Sequence, residues 1–334
     1  MDEITSRVSD FYVACRTNNR ELVLELLNSC PLEDLDRMEA NNSTPLHAAS
    51  YYNCTGIVQL LLSSGFTRCV RNRFGKTPYE EIHDENKDLF DRYKGTNRFG
   101  GRIYFEEEKL IWIQSDGNQQ TISRDFYNGD YLKFELFRED EICQQLHDMP
   151  QLDVIRRYFR HAIEAKNAIY FIQAYTAETY FYKRINEYLL KRDQYRSESF
   201  SKFVQTIAFN RELHKRYSYE GLCYRSICTY SNEILTLFER GKKISNRMFL
   251  STIQDRTLAE NYIQERKTAE QYVIMMIFKI RHRYTALDIE QISEFPHEKE
   301  ILIMYDSIFE VTQIIEKNQL EFEIRLSEIK SNYR

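Results

Sequence analysis

A short stretch of the sequence recurs after 33 residues, and this recurrence constrains the fold more than any other feature of the chain. The stretch Thr44–Ala49, TPLHAA, returns in weaker form at Thr77–Ile82, TPYEEI. Upstream, Phe11–Cys15 and Glu21–Leu27 repeat the apolar pattern with nearly the same spacing. Periods of about 20–50 residues are typical of solenoids, in which each repeat is a small unit packed on its neighbours. The N-terminal part is therefore predicted to be a repeat array.

The residues within each repeat favour a pair of helices. Thr44 and Pro45 are suited to begin the first helix, and Gly65 is suited to end the second. The segment resembles an ankyrin array with two recognisable repeats and a degenerate terminal cap. The resemblance implies an α-solenoid over residues 1–97. Ankyrin surfaces bind many kinds of protein, so we expect a binding arm for an unidentified protein, separable from the rest of the chain.

The sequence changes character after residue 97. Two apolar runs, Ile103–Phe105 and Leu110–Ile113, precede the turn-forming residues Ser115–Asn118. These features predict a connecting β-hairpin or linker over residues 98–147, placed to brace the flanking domains and carrying Trp112.

The remainder of the chain, residues 148–331, has the pattern of a second domain. Residues 152–214 show helical periodicity. A helix is also predicted around Leu258–Tyr262. Strands are predicted from Gly221 onward, at Met248–Leu250, Tyr272–Ile280, Glu300–Met304, Phe309–Ile314 and Leu320–Leu326. Helices followed by a mixed sheet indicate the α+β class.

Composition and charge exclude several classes of function. The net charge of −5 argues against a protein that coats nucleic acid. We find no signal peptide, no apolar run of membrane-spanning length and no spacing of metal ligands, so no membrane and no metal partner is expected. The seven cysteines are scattered without a CxxC pair, which favours reduced thiols and an intracellular protein, cytoplasmic or nuclear.

Three short motifs follow one another in the second domain. They are Tyr224–Ser226 (YRS), Phe249–Thr252 (FLST) and Phe295–Ile303 (FPHEKEILI). In this order they resemble the Arg, Ser, Glu-x-Glu signature of the arginine-specific mono-ADP-ribosyltransferases, and the similarity extends over roughly residues 150–330. The resemblance implies a mixed α/β catalytic domain with N-terminal helices and a two-sheet β core. It also implies NAD as the substrate.

The two glutamates of the last motif suit the chemistry that the resemblance implies. Cleaving the bond between nicotinamide and ribose generates an oxocarbenium-like centre, which a carboxylate stabilises. The resemblance gives this role to Glu300 and gives Glu298 the role of orienting and deprotonating an incoming guanidinium. In an extended segment, residues two apart project to the same face, so we expect both carboxylates to point together.

Other residues of the motifs receive roles from the same resemblance. Arg225 is expected to bind the pyrophosphate of NAD, and Ser251 to position the catalytic carboxylate. Considered alone, Ser251 would more often cap the helix that follows, just as Arg225 alone would more often form a surface ion pair. The further expected contacts with NAD are Tyr224, Ser226 and Thr252.

Two aromatic residues of the last motif have less specific roles. Phe295 is a candidate contact for the acceptor, with burial as a loop anchor as the alternative. His297 is expected to be exposed.

The chain departs from the family pattern at two positions. Ser226 stands where the first motif usually ends in glycine, and Ile253 replaces the last serine of the second motif. A weakened or altered transferase activity is therefore kept as an alternative.

Transfer of ADP-ribose from NAD to an arginine side chain of a protein acceptor is the function implied by the motifs. An NAD glycohydrolase on the same fold is the first alternative, because the same carboxylates serve both reactions. An ankyrin scaffold that binds NAD with little turnover is the second.

Overall fold

The computed structural model describes residues 8–91, 112–114, 137–149, 151–177, 179–191, 197–264, 267–268 and 270–329. The chain divides into two compact units. The first, here called the ankyrin unit, contains Met1–Tyr93 and the segment Ile292–His297. The second, the sheet unit, contains Lys94–Gln291 and Glu298–Arg334. The predicted boundaries at 97, 147 and 331 stay predictions.

The ankyrin unit is built from short helices in pairs, as the repeat predicts. Its helices are Asp10–Arg16, Arg20–Ser29, Leu32–Leu35, Pro45–Tyr51, Thr55–Ser63 and Pro78–Glu81, with 3-10 turns at Ala40–Asn42 and Asp84–Phe90. The last repeat therefore has one short helix and a 3-10 turn in place of a full pair.

Local side-chain chemistry begins and ends these helices where the sequence predicts. The Thr44 side chain accepts a hydrogen bond from the backbone N–H of His47, and Pro45 is the first helical residue. Thr77 makes the equivalent bond to Glu80 one repeat later. Gly65, at φ 80°, follows the helix Thr55–Ser63 in the left-handed conformation that glycine tolerates best.

His47 joins one repeat to the next. Its Nδ1 accepts from the backbone N–H of Thr44 at 3.1 Å, and its Nε2 lies 3.0 Å from the carbonyl oxygen of Lys76. An acceptor Nδ1 and a donor Nε2–H define a neutral ring. Around it the apolar faces of the helices, including Leu46, Ile57 and Leu61, form the core of this unit.

The helices of the sheet unit precede most of its strands. They are Glu139–Gln145, Leu152–Ala165, Ile169–Thr176, Phe181–Lys191, Glu198–Ala208 and Arg211–Tyr217, and Arg256–Gln264 follows between strands. Four phenylalanines, Phe159, Phe171, Phe181 and Phe203, pack with ring centroids 4.9–5.9 Å apart. Edge-to-face aromatic packing of this kind holds the helices together.

The described strands form one mixed nine-stranded sheet in the order β1-β3-β8-β9-β5-β2-β4-β7-β6. The strands are β1 Trp112–Gln114, β2 Gly221–Thr229, β3 Lys243–Asn246, β4 Leu250–Ile253, β5 Tyr272–Ile280, β6 Ala286–Asp288, β7 Glu300–Ile303, β8 Ile308–Asn318 and β9 Glu321–Glu328. Neighbouring strands are antiparallel except β5 and β9, which are parallel.

The two-sheet core that the resemblance implies is one continuous sheet with a narrow junction. A single residue pair, Tyr224 with Ile253, joins β2 to β4. The junction divides the sheet into two groups of strands. One group is β1, β3, β8, β9, β5 and β2, and the other is β4, β7 and β6.

Two strands, β3 and β6, were not among those expected from the sequence. Both are short, and they owe their extended form to longer partners, β8 and β7.

The predicted connecting hairpin lies largely outside the described residues. Ile103–Phe105 and Ser115–Asn118 are among those not described. Trp112 lies in β1, which pairs with β3 at the edge of the sheet, and its buried ring stacks with Phe278 at 6.1 Å. Trp112 is therefore part of the core of the sheet unit.

Among the described residues, no helix combines the length and apolar character that a membrane crossing requires.

The buried His47 makes the stability of the ankyrin unit dependent on pH. Burial lowers the pKa of His47 from 6.5 to about 4. The unfolded chain takes up this proton at higher pH than the folded chain. The free energy of unfolding is therefore highest above pH 6.5 and falls by up to about 3 kcal/mol as the pH drops towards 4. Hydrogen exchange of the helix Pro45–Tyr51 in urea, at several pH values, measures this loss.

The control is His47→Gln, which has no titrating ring. Its unfolding should depend less on pH across the same range. Equal pH dependence in both proteins would show that another group is responsible.

Candidate active site

The predicted site residues lie on three adjacent strands, β2, β4 and β7. Ile253 of β4 pairs with Tyr224 on one side and with Glu300 on the other. Residues directly opposite in antiparallel strands project to the same face. Tyr224, Ile253 and Glu300 therefore form a row across one face of the sheet, at the narrow junction.

Arg225 connects β2 to β4 next to this row. The side chain is buried, and its Nη1 donates a hydrogen bond to the carbonyl oxygen of Ser251 at 2.9 Å. This bond places the guanidinium beside β4. The planar fork of a guanidinium matches two phosphate oxygens, which suits the pyrophosphate role expected from the motif.

Ser251 lies on the same face as Glu300. It precedes Ile253 by two residues in β4, so the two side chains project together. Ser251 pairs with Leu302, which makes Ser251 and Glu300 diagonal neighbours, a relation within reach of a long side chain. Both residues are buried, and Glu300 is 0% exposed. The structure thus brings Ser251 and Glu300 to one face of the sheet, and Arg225 bonds to the backbone of Ser251.

The alternative role for Ser251, capping the following helix, belongs to another residue. Asp255 Oδ1 accepts hydrogen bonds from the backbone N–H groups of Thr257 and Leu258, at 2.8 and 3.2 Å. Asp255 therefore caps the helix Arg256–Gln264, and Ser251 lies within the strand that precedes it.

Thr252 and Ser226 are buried at the same junction. The Thr252 hydroxyl donates to the carbonyl oxygen of Ile301 at 2.7 Å, which ties β4 to β7. Ser226 lies on β2 opposite Met275 of β5. The contacts of both residues with NAD stay predictions.

Glu298 does not lie on an extended segment, contrary to our expectation. It ends the 3-10 turn Pro296–Glu298, and Lys299 has a φ of 48°, in the left-handed region. β7 begins only at Glu300. The same-face argument for residues two apart therefore does not apply to the two carboxylates. Glu298 is nonetheless buried, at 2% exposed.

The two aromatic residues of the last motif are held inside the ankyrin unit. Phe295 is 0% exposed, and the Arg68 guanidinium lies over its ring, 4.5 Å from the centroid. A buried ring cannot contact an acceptor in this conformation, so the loop-anchor alternative describes Phe295 better. His297 is only partly exposed, because its ring stacks on Tyr79 at 4.4 Å. The expected exposure of His297 is therefore wrong.

Glu294 is a residue that the sequence did not bring to attention. It is a buried carboxylate within the ankyrin unit, 4% exposed, and it accepts a hydrogen bond from the backbone N–H of Arg68 at 3.2 Å. The sequence signal was an acidic residue between the apolar Ile292 and Phe295. Its partner is 226 residues away, and nothing local identifies that partner.

The site does not offer a thiol nucleophile. None of the seven cysteines forms a disulfide, and six of them are buried. Burial raises the pKa of Cys223, two residues before Arg225, to about 12. At neutral pH this thiol is protonated, so the carboxylates carry the candidate chemistry. In the described part of the chain, no group of His, Cys, Asp and Glu is arranged to hold a metal ion.

Two family models match the chain. The model of the NAD:arginine ADP-ribosyltransferases matches residues 159–334, which include β2 to β9 and all three motifs. A model of three ankyrin repeats matches residues 11–80. A comparison with curated protein sequences found no match.

Several solved structures are similar to part of the chain. HopU1 of Pseudomonas syringae pv. Tomato DC3000, an ADP-ribosyltransferase, is 19% identical, with a TM-score of 0.40 over 60% of this chain and 95% of its own. The Vis toxin of Vibrio splendidus is 19% identical, with a TM-score of 0.37 over 58% and 87%. Exoenzyme S of Pseudomonas aeruginosa, in a complex bound to Carba-NAD, is 16% identical, with a TM-score of 0.39 over 57% and 86%.

The Thr252 hydroxyl should contribute measurably to stability. Thr252→Val leaves the buried carbonyl of Ile301 without this donor, so the free energy of unfolding should fall by about 1–3 kcal/mol. Urea unfolding followed by Trp112 fluorescence measures the change. Thr252→Ser keeps the hydroxyl and should lose less. Equal stability of wild type and Thr252→Val would contradict a structural role for the bond.

Proposed function

This chain belongs to the NAD:arginine ADP-ribosyltransferase family, and from that premise we propose that it transfers ADP-ribose to arginine side chains of a target protein. The protein is an ADP-ribosyltransferase that uses NAD. The acceptor and the individual roles of the residues below belong to the proposal. The observation that carries it is the bond from Arg225 to the Ser251 backbone, together with the diagonal placement of Ser251 and Glu300 on β4 and β7.

In the proposed reaction, the bond between the ribose C1′ and the nicotinamide nitrogen breaks, and nicotinamide leaves with the electron pair. The ribosyl centre then carries positive charge, which the Glu300 carboxylate stabilises. Glu300 is suited to this because it lies within the hydrogen-bonded ladder of β7, so its position is set before NAD binds. Preorganised electrostatic stabilisation of this kind is usually the largest single contribution to enzymatic rate enhancement.

A guanidinium nitrogen of the acceptor then forms the new bond to C1′ and loses a proton. A guanidinium is a poor nucleophile while charged, since its pKa is above about 12. Glu298 is the proposed group that orients the guanidinium and takes the proton. Its position at the end of the turn Pro296–Glu298, two residues before Glu300, supports this division of roles.

The remaining residues bind and orient. Arg225 is proposed to bind the pyrophosphate, and its bond to the carbonyl of Ser251 holds the guanidinium beside β4. Ser251 is proposed to orient Glu300 from the neighbouring strand. Tyr224, Ser226 and Thr252 complete the proposed NAD contacts. The ankyrin unit is proposed to bind the target or another protein, in an intracellular location.

Hydrolysis of NAD is the second candidate function. Ile253 occupies the row between Tyr224 and Glu300, where the family often has serine, and its side chain offers no hydrogen bond. With water in place of the guanidinium, the same Glu300 would yield free ADP-ribose. Labelled NAD, incubated with and without poly-arginine or a small guanidine, separates the two. Label on the acceptor supports transfer. Labelled free ADP-ribose with no labelled acceptor would show that the protein only hydrolyses NAD.

Replacing Glu300 should stop both reactions. Glu300→Gln keeps the shape of the side chain but removes the negative charge that faces the ribosyl centre. We expect nicotinamide release and guanidine transfer to fall by about 100–1000-fold or more. The measurement is single-turnover release of labelled nicotinamide.

Glu310→Gln is the matched control, because Glu310 is exposed on β8 and takes no part in the proposed site. It should keep wild-type rates. Near-normal turnover by Glu300→Gln would remove Glu300 from the mechanism.

Replacing Glu298 should separate the two reactions. Glu298→Gln should lower transfer to a small guanidine by about 100-fold, because only that step needs a proton acceptor, while nicotinamide release stays measurable. The quantity to measure is the ratio of labelled guanidine to free ADP-ribose at equal NAD turnover. A similar loss of transfer and of nicotinamide release would mean that the role of Glu298 is not confined to the acceptor step.

A further inference from the structure

The ankyrin unit contains the piece of chain that leads directly to Glu298. β6 ends at Asp288 and β7 begins at Glu300, and between them Ile292–His297 belongs to the ankyrin unit. We call these residues the 292–297 segment. One peptide bond separates its last residue, His297, from Glu298.

A buried carboxylate ties the middle of the segment to the repeats. Glu294 Oε2 accepts from the backbone N–H of Arg68 at 3.2 Å, and Glu294 Oε1 accepts from the Cys69 thiol at 3.0 Å. Glu294 and Cys69 are 4% and 5% exposed. A buried carboxylate with charge-assisted hydrogen bonds strongly favours one conformation, because moving it would break those bonds in an environment that excludes water.

Two ring contacts hold the rest of the segment. The Arg68 guanidinium lies over the ring of Phe295, and its Nη1 also donates to the carbonyl oxygen of Phe90 at 3.3 Å. At the end of the segment, His297 stacks on Tyr79 with an angle of 17° between the rings, and its Nε2 lies 3.6 Å from Asp91 Oδ1. The segment is thus held at both its centre and its end.

We propose that Glu294 and Tyr79 are positioning residues for the acceptor step, because they fix on the ankyrin unit the segment from which Glu298 extends. The inference rests on the proposed function, since the acceptor role of Glu298 belongs to it. The ankyrin unit then contributes to catalysis through the backbone, in addition to any protein that it binds.

The two glutamates should respond differently when the segment is released. Glu300 is held by the pairing of β7 with β4, which does not involve the segment. Glu298 lies in the turn Pro296–Glu298, whose first two residues belong to the segment. Loosening the segment should therefore disturb transfer to a guanidine and spare nicotinamide release.

Glu294→Ala and Tyr79→Leu test the proposal in the full chain. For both variants, the ratio of guanidine transfer to NAD hydrolysis should fall at least about tenfold, since small displacements of a reacting group are costly, while nicotinamide release stays within about twofold. Backbone amides of the segment should exchange hydrogen faster in both. Tyr79→Leu changes one half-buried ring and remains informative if Glu294→Ala does not fold.

Two conservative variants serve as controls. Tyr79→Phe keeps the ring that stacks on His297, and Cys69→Ser keeps a donor for Glu294. Both should retain the transfer ratio and the slow exchange of the segment. A substitution that destabilised the whole protein would lower nicotinamide release and transfer by the same factor.

The outcomes separate this inference from the proposed function. If wild type transfers nothing to guanidines, the proposed function fails and this inference fails with it. If wild type transfers but Glu294→Ala and Tyr79→Leu keep its ratio, only the inference is overturned. Faster exchange of the segment with an unchanged ratio would likewise overturn it.

Discussion

The pairing of the short strand β4 with β2 and β7 is the interaction on which the candidate site depends. A single residue pair links β4 to β2, and the bond from Arg225 to the Ser251 carbonyl reinforces that link. On the other side, the Thr252 hydroxyl adds to the ladder with β7. Because Glu300 lies in that ladder, the positions of Arg225 and Glu300 relative to β4 follow from how these strands pair.

Features that depend on neighbouring residues could be predicted from the sequence. Thr44 begins a helix through its side-chain hydroxyl, Gly65 follows one in the left-handed conformation, and the long strands β5 and β9 carry clear patterns. Features that depend on distant partners could not be predicted. Glu298 was expected on an extended segment, but the left-handed Lys299 breaks it. The motif order pointed to Arg225, Ser251 and Glu300, whose roles stay predictions, whereas the contacts of Glu294 needed the fold.

The repeats were expected to act as a separable arm, and the unit that contains them also contains a segment from late in the chain. The ankyrin unit includes the 292–297 segment, and it buries Glu294 and Phe295. A deletion of residues 1–97 would therefore remove the partners of a segment that stays in the remaining chain. Any loss of activity on deletion has to be separated into loss of target binding and loss of this support.

The distance along the chain between Arg68 and Glu294, 226 residues, also has a consequence for synthesis on the ribosome. Domains generally fold as they emerge, the N-terminal one first. Here the ankyrin unit receives the Glu294 carboxylate only after most strands of the sheet unit have been translated. While these strands are being translated, the Arg68 backbone N–H and the Cys69 thiol lack the Glu294 oxygens to which they donate in the complete chain. The ankyrin unit therefore reaches its complete structure only after most of the sheet unit has been synthesised.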